Sequence, residues 1–198
     1  MINIEKYNFS FTALSLKVNE MVKVAEAMNE GFSIEETDFG NGKRKTGHRK
    51  LIEIEKRLNN LTNKELHLFI SGDFIIQKQI AFLSVCKSHG FIRDFVVEVL
   101  REKLLVFDYQ ITEGNYISFC RRKSELHPEI EKLTEITTYK IKQVTFKILE
   151  QAGIIDNIKT RIVQPQILDY EVINTIASDN KEWLKIFFMS DIDIENIN

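Results

Sequence analysis

Proline is nearly missing from this 198-residue chain: Pro128 and Pro165 are the only two, and glycine occurs eight times. With so few breakers, long irregular loops are not expected. Cysteine is as scarce. Cys86 and Cys120 stand far apart with no CxxC spacing, which rules out a disulfide scaffold and gives no thiolate metal pattern. Two free thiols fit a reducing cytosol, and a bridge between them is the less favoured arrangement. No apolar run approaches the ~20 residues that span a bilayer. Residues 1–10 lack the basic segment and apolar stretch of a secretion signal. The expectation is a cytoplasmic chain with no membrane partner.

An excess of positive charge is also absent. Lys and Arg number 27 against 29 Asp and Glu, giving a net charge of −2 and a pI near 6.1. The whole-protein field exerts no pull on nucleic acid, so any such binding must come from local patches.

Catalytic signatures are missing too. The chain has no phosphate-loop lysine motif, no glycine fingerprint and no nucleophile elbow. His48, His67, His89 and His127 are dispersed and show no metal-ligand spacing. Asp94, Glu98 and Glu102 share one helix face, but Arg93, Arg101 and Lys103 interleave them. A salt-bridged face is the better reading than an acid–base pair. No enzyme, cofactor or metal is expected.

What the chain does have is helical periodicity. Hydrophobic residues make up 43% of it, enough for a core, and Leu, Ile, Glu and Lys recur at spacings of three and four. The first helix is expected from Ser10 or Thr12 to Gly31, on the stripe Leu14, Val18, Met21, Val22, Ala25 and Met28. Ser33 and Glu36 have capping-box spacing, as do Thr62 and Glu65. Asp73 is placed to cap a helix ending at Gly90, Phe91–Phe107 reads as a central core helix, and Thr112 caps another. Pro128 suits a first helical turn. An amphipathic helix from Thr138 to Ala152 stops at Gly153, and a β-branched run follows from Ile154 to Val163. Tyr170–Ala177 and Lys181–Phe188 are expected to be short final helices, with Trp183 packed inward. Phe9, Phe11, Phe187 and Phe188 are expected to anchor the chain ends in the core.

The fold class is thus all-α: a compact multi-helix globular fold with helix-turn-helix elements and a possible small C-terminal β-wing. Residues 1–110 read as a helical bundle carrying a basic loop. Residues 111–198 read as a winged-helix-like region whose terminal helices pack back.

Three basic clusters stand out. Lys43, Arg44, Lys45, Arg49 and Lys50 surround a glycine-rich segment, Gly40–Gly47, read as a flexible loop before a helix N-terminus at Thr46-Gly47. Backbone N–H groups there favour an anion, so a phosphate backbone fits as well as a solvated loop does. Arg121, Arg122 and Lys123 end a helix, where they either complement its dipole or clamp phosphate. Lys140, Gln143 and Lys147 share the polar face of the Thr138 helix, with Lys159 and Arg161 in the possible wing. Gln and Lys side chains on such a face reach base edges or phosphates in a DNA groove. An ordinary surface helix has the same spacing.

The order and spacing of several further blocks carry a family resemblance. They are Phe9-Ser10-Phe11-Thr12, Arg57-Leu58, Leu61-Thr62, Gly72-Asp73, Gln77-Lys78-Gln79, residues 94–103, His127-Pro128-Glu129, residues 151–155 and residues 188–191. On these the chain resembles the BrxA family of BREX phage-defence systems over nearly its whole length. The resemblance implies an all-α protein with helix-turn-helix elements and basic surface, able to bind double-stranded DNA. It also implies a non-enzymatic component acting beside a methyltransferase, an ATPase and a phosphatase-like protein. It supplies no invariant active-site residues. The expected partners are duplex DNA and other BREX subunits, with the isolated chain monomeric. Two other readings fit the residues: a protein-interaction adaptor that binds no DNA, and an RNA-binding helical protein.

Overall fold

The computed structural model describes residues 5–197, so the first four residues of the stretch 1–10, read as lacking a secretion signal, lie outside it, as does Asn198. Helices dominate. They are α1 (Val18–Glu30), α2 (Glu36–Phe39), α3 (Arg44–Leu58), α4 (Asn63–Ser71) and α5 (Phe74–Ser88). Next comes a continuous helical stretch, α6, over 90–105. After it come α7 (Glu113–Ser124), α8 (Pro128–Glu131), α9 (Glu135–Ala152), α10 (Tyr170–Asn180) and α11 (Asp191–Glu195). Short 3-10 turns cover Ser10–Ala13 and Lys181–Phe187.

Local capping chemistry explains most of the boundaries. Thr62 and Glu65 form a reciprocal capping box at α4, and Asp73 accepts from the Ile75 and Ile76 amides at α5. Thr112 opens α7 in a box with Asn115. Pro128 occupies the first turn of α8. Gly153 ends α9 with φ of 75°, a left-handed conformation that glycine adopts without a Cβ penalty.

Several boundaries differ from the sequence reading. Residues 14–17 are not helical, and α1 begins only at Val18, after Lys17 at φ 49°. Leu14 and Leu16 are nonetheless buried, because the segment threads through the core as an extended strap. Ser33 does not cap α2. Thr134 rather than Thr138 precedes α9, which gains a turn. Of the Gly40–Gly47 segment, residues 40–42 form a turn and the second half is helical, since α3 starts at Arg44, two residues before the expected Thr46-Gly47 start. Gly47 is what allows this: a Cβ there would lie 1.6 Å from the Glu36 carbonyl oxygen, so only glycine lets α2 rest directly on α3.

No β-ladder forms among the described residues. The expected wing reduces to two isolated bridges, Ile155 with Val163 and Gln110 with Ile162. Between them Asp156 and Asn157 bind nearby backbone amides and close a tight polar turn, which takes the residues a hairpin would need.

The buried side chains make one cluster from Tyr7 to Ile194. Its centre is α5 and α6, where Ile80–Cys86 are all buried. Phe91 and Phe95 pack against Phe119 at 5.4 and 5.1 Å between ring centroids, and Phe95 meets Phe146 of α9 at 5.9 Å. Phe11, Phe187 and Phe188 are buried and Phe9 and Trp183 partly so. Cys86 and Cys120 are both free. The middle of α6, Val96–Arg101, is a π-helical segment. No helix among the described residues is long and apolar enough to cross a membrane.

Candidate nucleic-acid interface

The turn at Ser10–Ala13 lies between α3 and α9, and an open cleft of about 390 Å³ forms above it. Lys45 and Arg49, one turn apart on α3, line one side with Thr46, and Lys140 of α9 lines the other. Thr12 and Ala13 make the floor. Among the described residues, no carboxylate lines this cleft. Basic residues nearly a hundred positions apart in sequence are thus brought to one concave surface.

The floor is held from beneath by buried charge. Ser10 Oγ donates to Glu53 Oε2 at 2.6 Å, and Arg57 Nε donates to Glu53 Oε1 at 2.9 Å. The Arg57 guanidinium, fully buried, also donates to the carbonyls of Leu14 and Ser15 at 2.7 and 2.8 Å. His89 Nε2 lies 2.6 Å from Glu53 Oε1. Burial alone would lift the Glu53 carboxyl, but the His89 hydrogen bond and the Arg57 charge outweigh it and hold it at about 2. Burial pushes the His89 imidazole below its ordinary value. Further along the strap, Leu16 N donates to Gln151 Oε1 of α9 at 2.9 Å. Sequence reading gave this cluster no role. The one available signal was Glu53, an acid four residues before Arg57 in a run that holds only one other acid, Glu55.

The basic residues singled out from sequence have different fates. Lys43, Lys45 and Arg49 are exposed, with no ion-pair partner among the described residues. Arg44 pairs with Glu36 at 3.0 Å, and Lys50 Nζ donates to the Phe39 carbonyl at 2.8 Å, bracing α2. Lys140 donates to Gln143 Oε1 at 3.0 Å and is otherwise free, whereas Lys147 is paired with Glu150. Arg121 is exposed, and Arg122 reaches Glu98 only at 3.8 Å. Lys123 is buried. Its ammonium sits between Asp94 and Glu98, and Asp94 also accepts from the Tyr7 hydroxyl at 2.6 Å. Burial would raise Asp94, but Lys123, Tyr7 and Arg93 together hold it below the usual range. Lys159 is exposed at the tip of the polar turn. Arg161 lies over the Phe146 ring at 4.2 Å and pairs with Glu113 at 3.2 Å, so its charge is spent on joining the turn to α7 and α9.

The carboxylate stripe of α6 is salt-bridged, as its sequence pattern indicated, to Arg93, Lys123, Arg122 and Arg101. His127 stacks on Tyr7 at 3.6 Å, His89 is taken by Glu53, and His48 meets Glu36 at 2.7 Å. Among the described residues, no three His, Cys, Asp or Glu converge on a metal position.

Comparison with known proteins gives concordant matches. A family model described as BrxA matches residues 5–180. A "BREX protein BrxA" of Bacillus cereus (strain H3081.97) is 25% identical over 187 residues, covering 90% of this chain and 94% of that protein. A second protein of that description, from Escherichia coli O9:H4 (strain HS), is 24% identical over 119 residues, covering 60% of this chain and 56% of its own length. The crystal structure of an uncharacterized protein from Magnetospirillum magneticum superposes with a TM-score of 0.79 at 17% identity. It covers 93% of this chain and 99% of that one, and so shares the fold.

Proposed function

The chain belongs to the BrxA family of BREX phage-defence proteins, and from that premise we propose that it is a non-enzymatic duplex-DNA-binding component that grips the phosphate backbone. The observation that carries this reading is the convergence of Lys45, Arg49 and Lys140 on one cleft free of carboxylates. The N-terminus of α3 adds to it. Among the described residues no side chain caps that helix, so the positive end of its dipole, with Lys43 and Lys45 beside it, is not neutralised by a capping group.

The contacts are to phosphate rather than to bases. Among the described residues, the outward face of α9 at Lys140, Gln143 and Lys147 offers no arginine to read guanine. Its one amide, Gln143, is already engaged by Lys140. Arg121, Arg122 and Lys159 are exposed enough to extend the grip along a duplex, whereas Lys123, Arg161 and Lys147 are neutralised internally. Helix-turn-helix geometry adds little to this reading, since α8 breaks the connection between α7 and α9.

The test is binding of the purified chain to labelled duplexes of unrelated sequence at low salt. Similar affinity for all of them, lost on charge reversal at Lys45 and Arg49, is the expected result. No duplex binding at low salt overturns the proposal. Preferential displacement by structured RNA favours an RNA ligand instead.

A further inference from the structure

A second surface, sharing no residue with the basic cleft, lies where the end of α6 meets the chain entering α10 and the last 3-10 turn. It is an open groove of about 470 Å³ whose walls include Leu105, Ile167, Leu168, Phe188 and Met189, with Asp193 on the rim. The apolar surface continues beyond the groove. Ile167 is 87% exposed, and Val106 and Phe107, which follow Leu105, are 70% and 80% exposed. Phe107 holds φ at 61°, a conformation that costs a bulky residue energy and here keeps an aromatic ring in water. Contiguous exposed apolar surface beside a groove marks an interaction site.

The charge around it selects the occupant. Asp193 lines the groove and Asp169 directly follows the lining residue Leu168; both are exposed, and among the described residues neither is in a salt bridge. The nearby cations are already paired: Lys103 with Asp108, and Arg101 and Lys185 both with Asp191 at 3.1 Å. The rim is therefore a net acceptor of positive charge over an apolar floor. Such a rim repels nucleic acid. A symmetric pairing of two copies through this groove sets acid against acid.

We propose that this groove docks a basic amphipathic segment of another protein of the same defence system. Apolar side chains of that segment fill the groove between Leu105 and Ile167, and its Lys or Arg residues meet Asp169 and Asp193.

The test is an array of overlapping peptides tiling the other proteins encoded with this chain, probed with the full-length protein. Peptides combining net positive charge with an apolar i, i+3, i+4 pattern are expected to bind. Ile167→Glu is expected to weaken them by roughly tenfold or more, as loss of a central interface anchor does. The double variant Asp169→Lys/Asp193→Lys is expected to weaken the same peptides and favour versions carrying Glu in place of Lys. All three positions are exposed, and the one side-chain hydrogen bond lost is that from Ser190 Oγ to Asp193 at 2.6 Å, so the thermal midpoint of Ile167→Glu should stay near that of the parent and that of the double variant should fall only slightly, which separates lost docking from lost folding. The proposal is overturned if no basic amphipathic peptide binds or if binding survives both variants. It is equally overturned if sedimentation shows a self-association that Ile167→Glu abolishes, since the occupant is then a second copy.

Discussion

Replacing Lys45, Arg49 and Lys140 together by alanine should change the salt dependence of duplex binding more than any other triple neutralisation. Each phosphate neutralised by a cation contributes about −0.9 to the slope of log K against log salt concentration. Three such contacts contribute about −2.7, which between 50 and 200 mM salt amounts to a roughly 40-fold loss of affinity. The variant should bind more weakly at low salt, with a slope shallower by about that 2.7. Lys147→Ala is the matched control. It removes the same charge from the same helix, but Lys147 is paired with Glu150, so its loss frees a carboxylate without removing a free cation. Its slope should remain near the parent's. The assay is fluorescence anisotropy of a short labelled duplex across a salt series, with circular dichroism confirming helical content. A triple variant that keeps the parent slope refutes the cleft as the phosphate site. A Lys147→Ala effect as large as that of Lys140→Ala refutes the argument that internal pairing decides which cations are available.

Other perturbations test the scaffold beneath the cleft. Glu53 sits at about 2 in the folded protein against an ordinary value of 4.5. Its contribution, about 3 kcal/mol by linkage, is full above about pH 4.5 and lost as pH falls through 2. Glu53→Gln should therefore lower stability at neutral pH and flatten its decline in acid, as measured by urea unfolding over a pH series. Gly47→Ala must push α2 off α3 and should cost about 1–3 kcal/mol, visible as a lowered thermal midpoint. Asp73→Ala removes the acceptor for two amides at the start of α5 and should cost about 1 kcal/mol in chemical denaturation without altering the slope of DNA binding.

The sequence displayed most of the helices because their punctuation is local. Thr62 with Glu65, Asp73, Thr112 and Gly153 each act on backbone groups within a few residues, and each behaves as its spacing indicates. The misreadings arose where a distant element decides. The stripe containing Leu14 looks helical, but Arg57 binds the Leu14 and Ser15 carbonyls and Gln151 takes the Leu16 amide, which holds the strap extended. Gly40–Gly47 looks like a loop because glycine is a poor helix former, yet close packing of α2 makes Gly47 the residue the helix needs. The candidate site was legible as a set of cations but not as a surface. Nothing within a few positions of Lys123 or Arg161 announces that Asp94 or Glu113 will neutralise it.

The strap beneath the cleft also sets an order of events during synthesis. Tyr7 N donates to Glu129 and Leu16 N to Gln151, partners 122 and 135 residues downstream. On a ribosome, the segment carrying Phe9, Phe11, Leu14 and Leu16 emerges well before α8 and α9 and finds these partners only after they have followed. For all that time its apolar side chains lack their final cover, and contacts of such long sequence separation close slowly. The strap is therefore among the last of these elements to settle, although it is made before them. A nascent chain halted before α9 lacks Lys140 and with it one wall of the basic cleft, so the cleft takes shape only once α9 has been made.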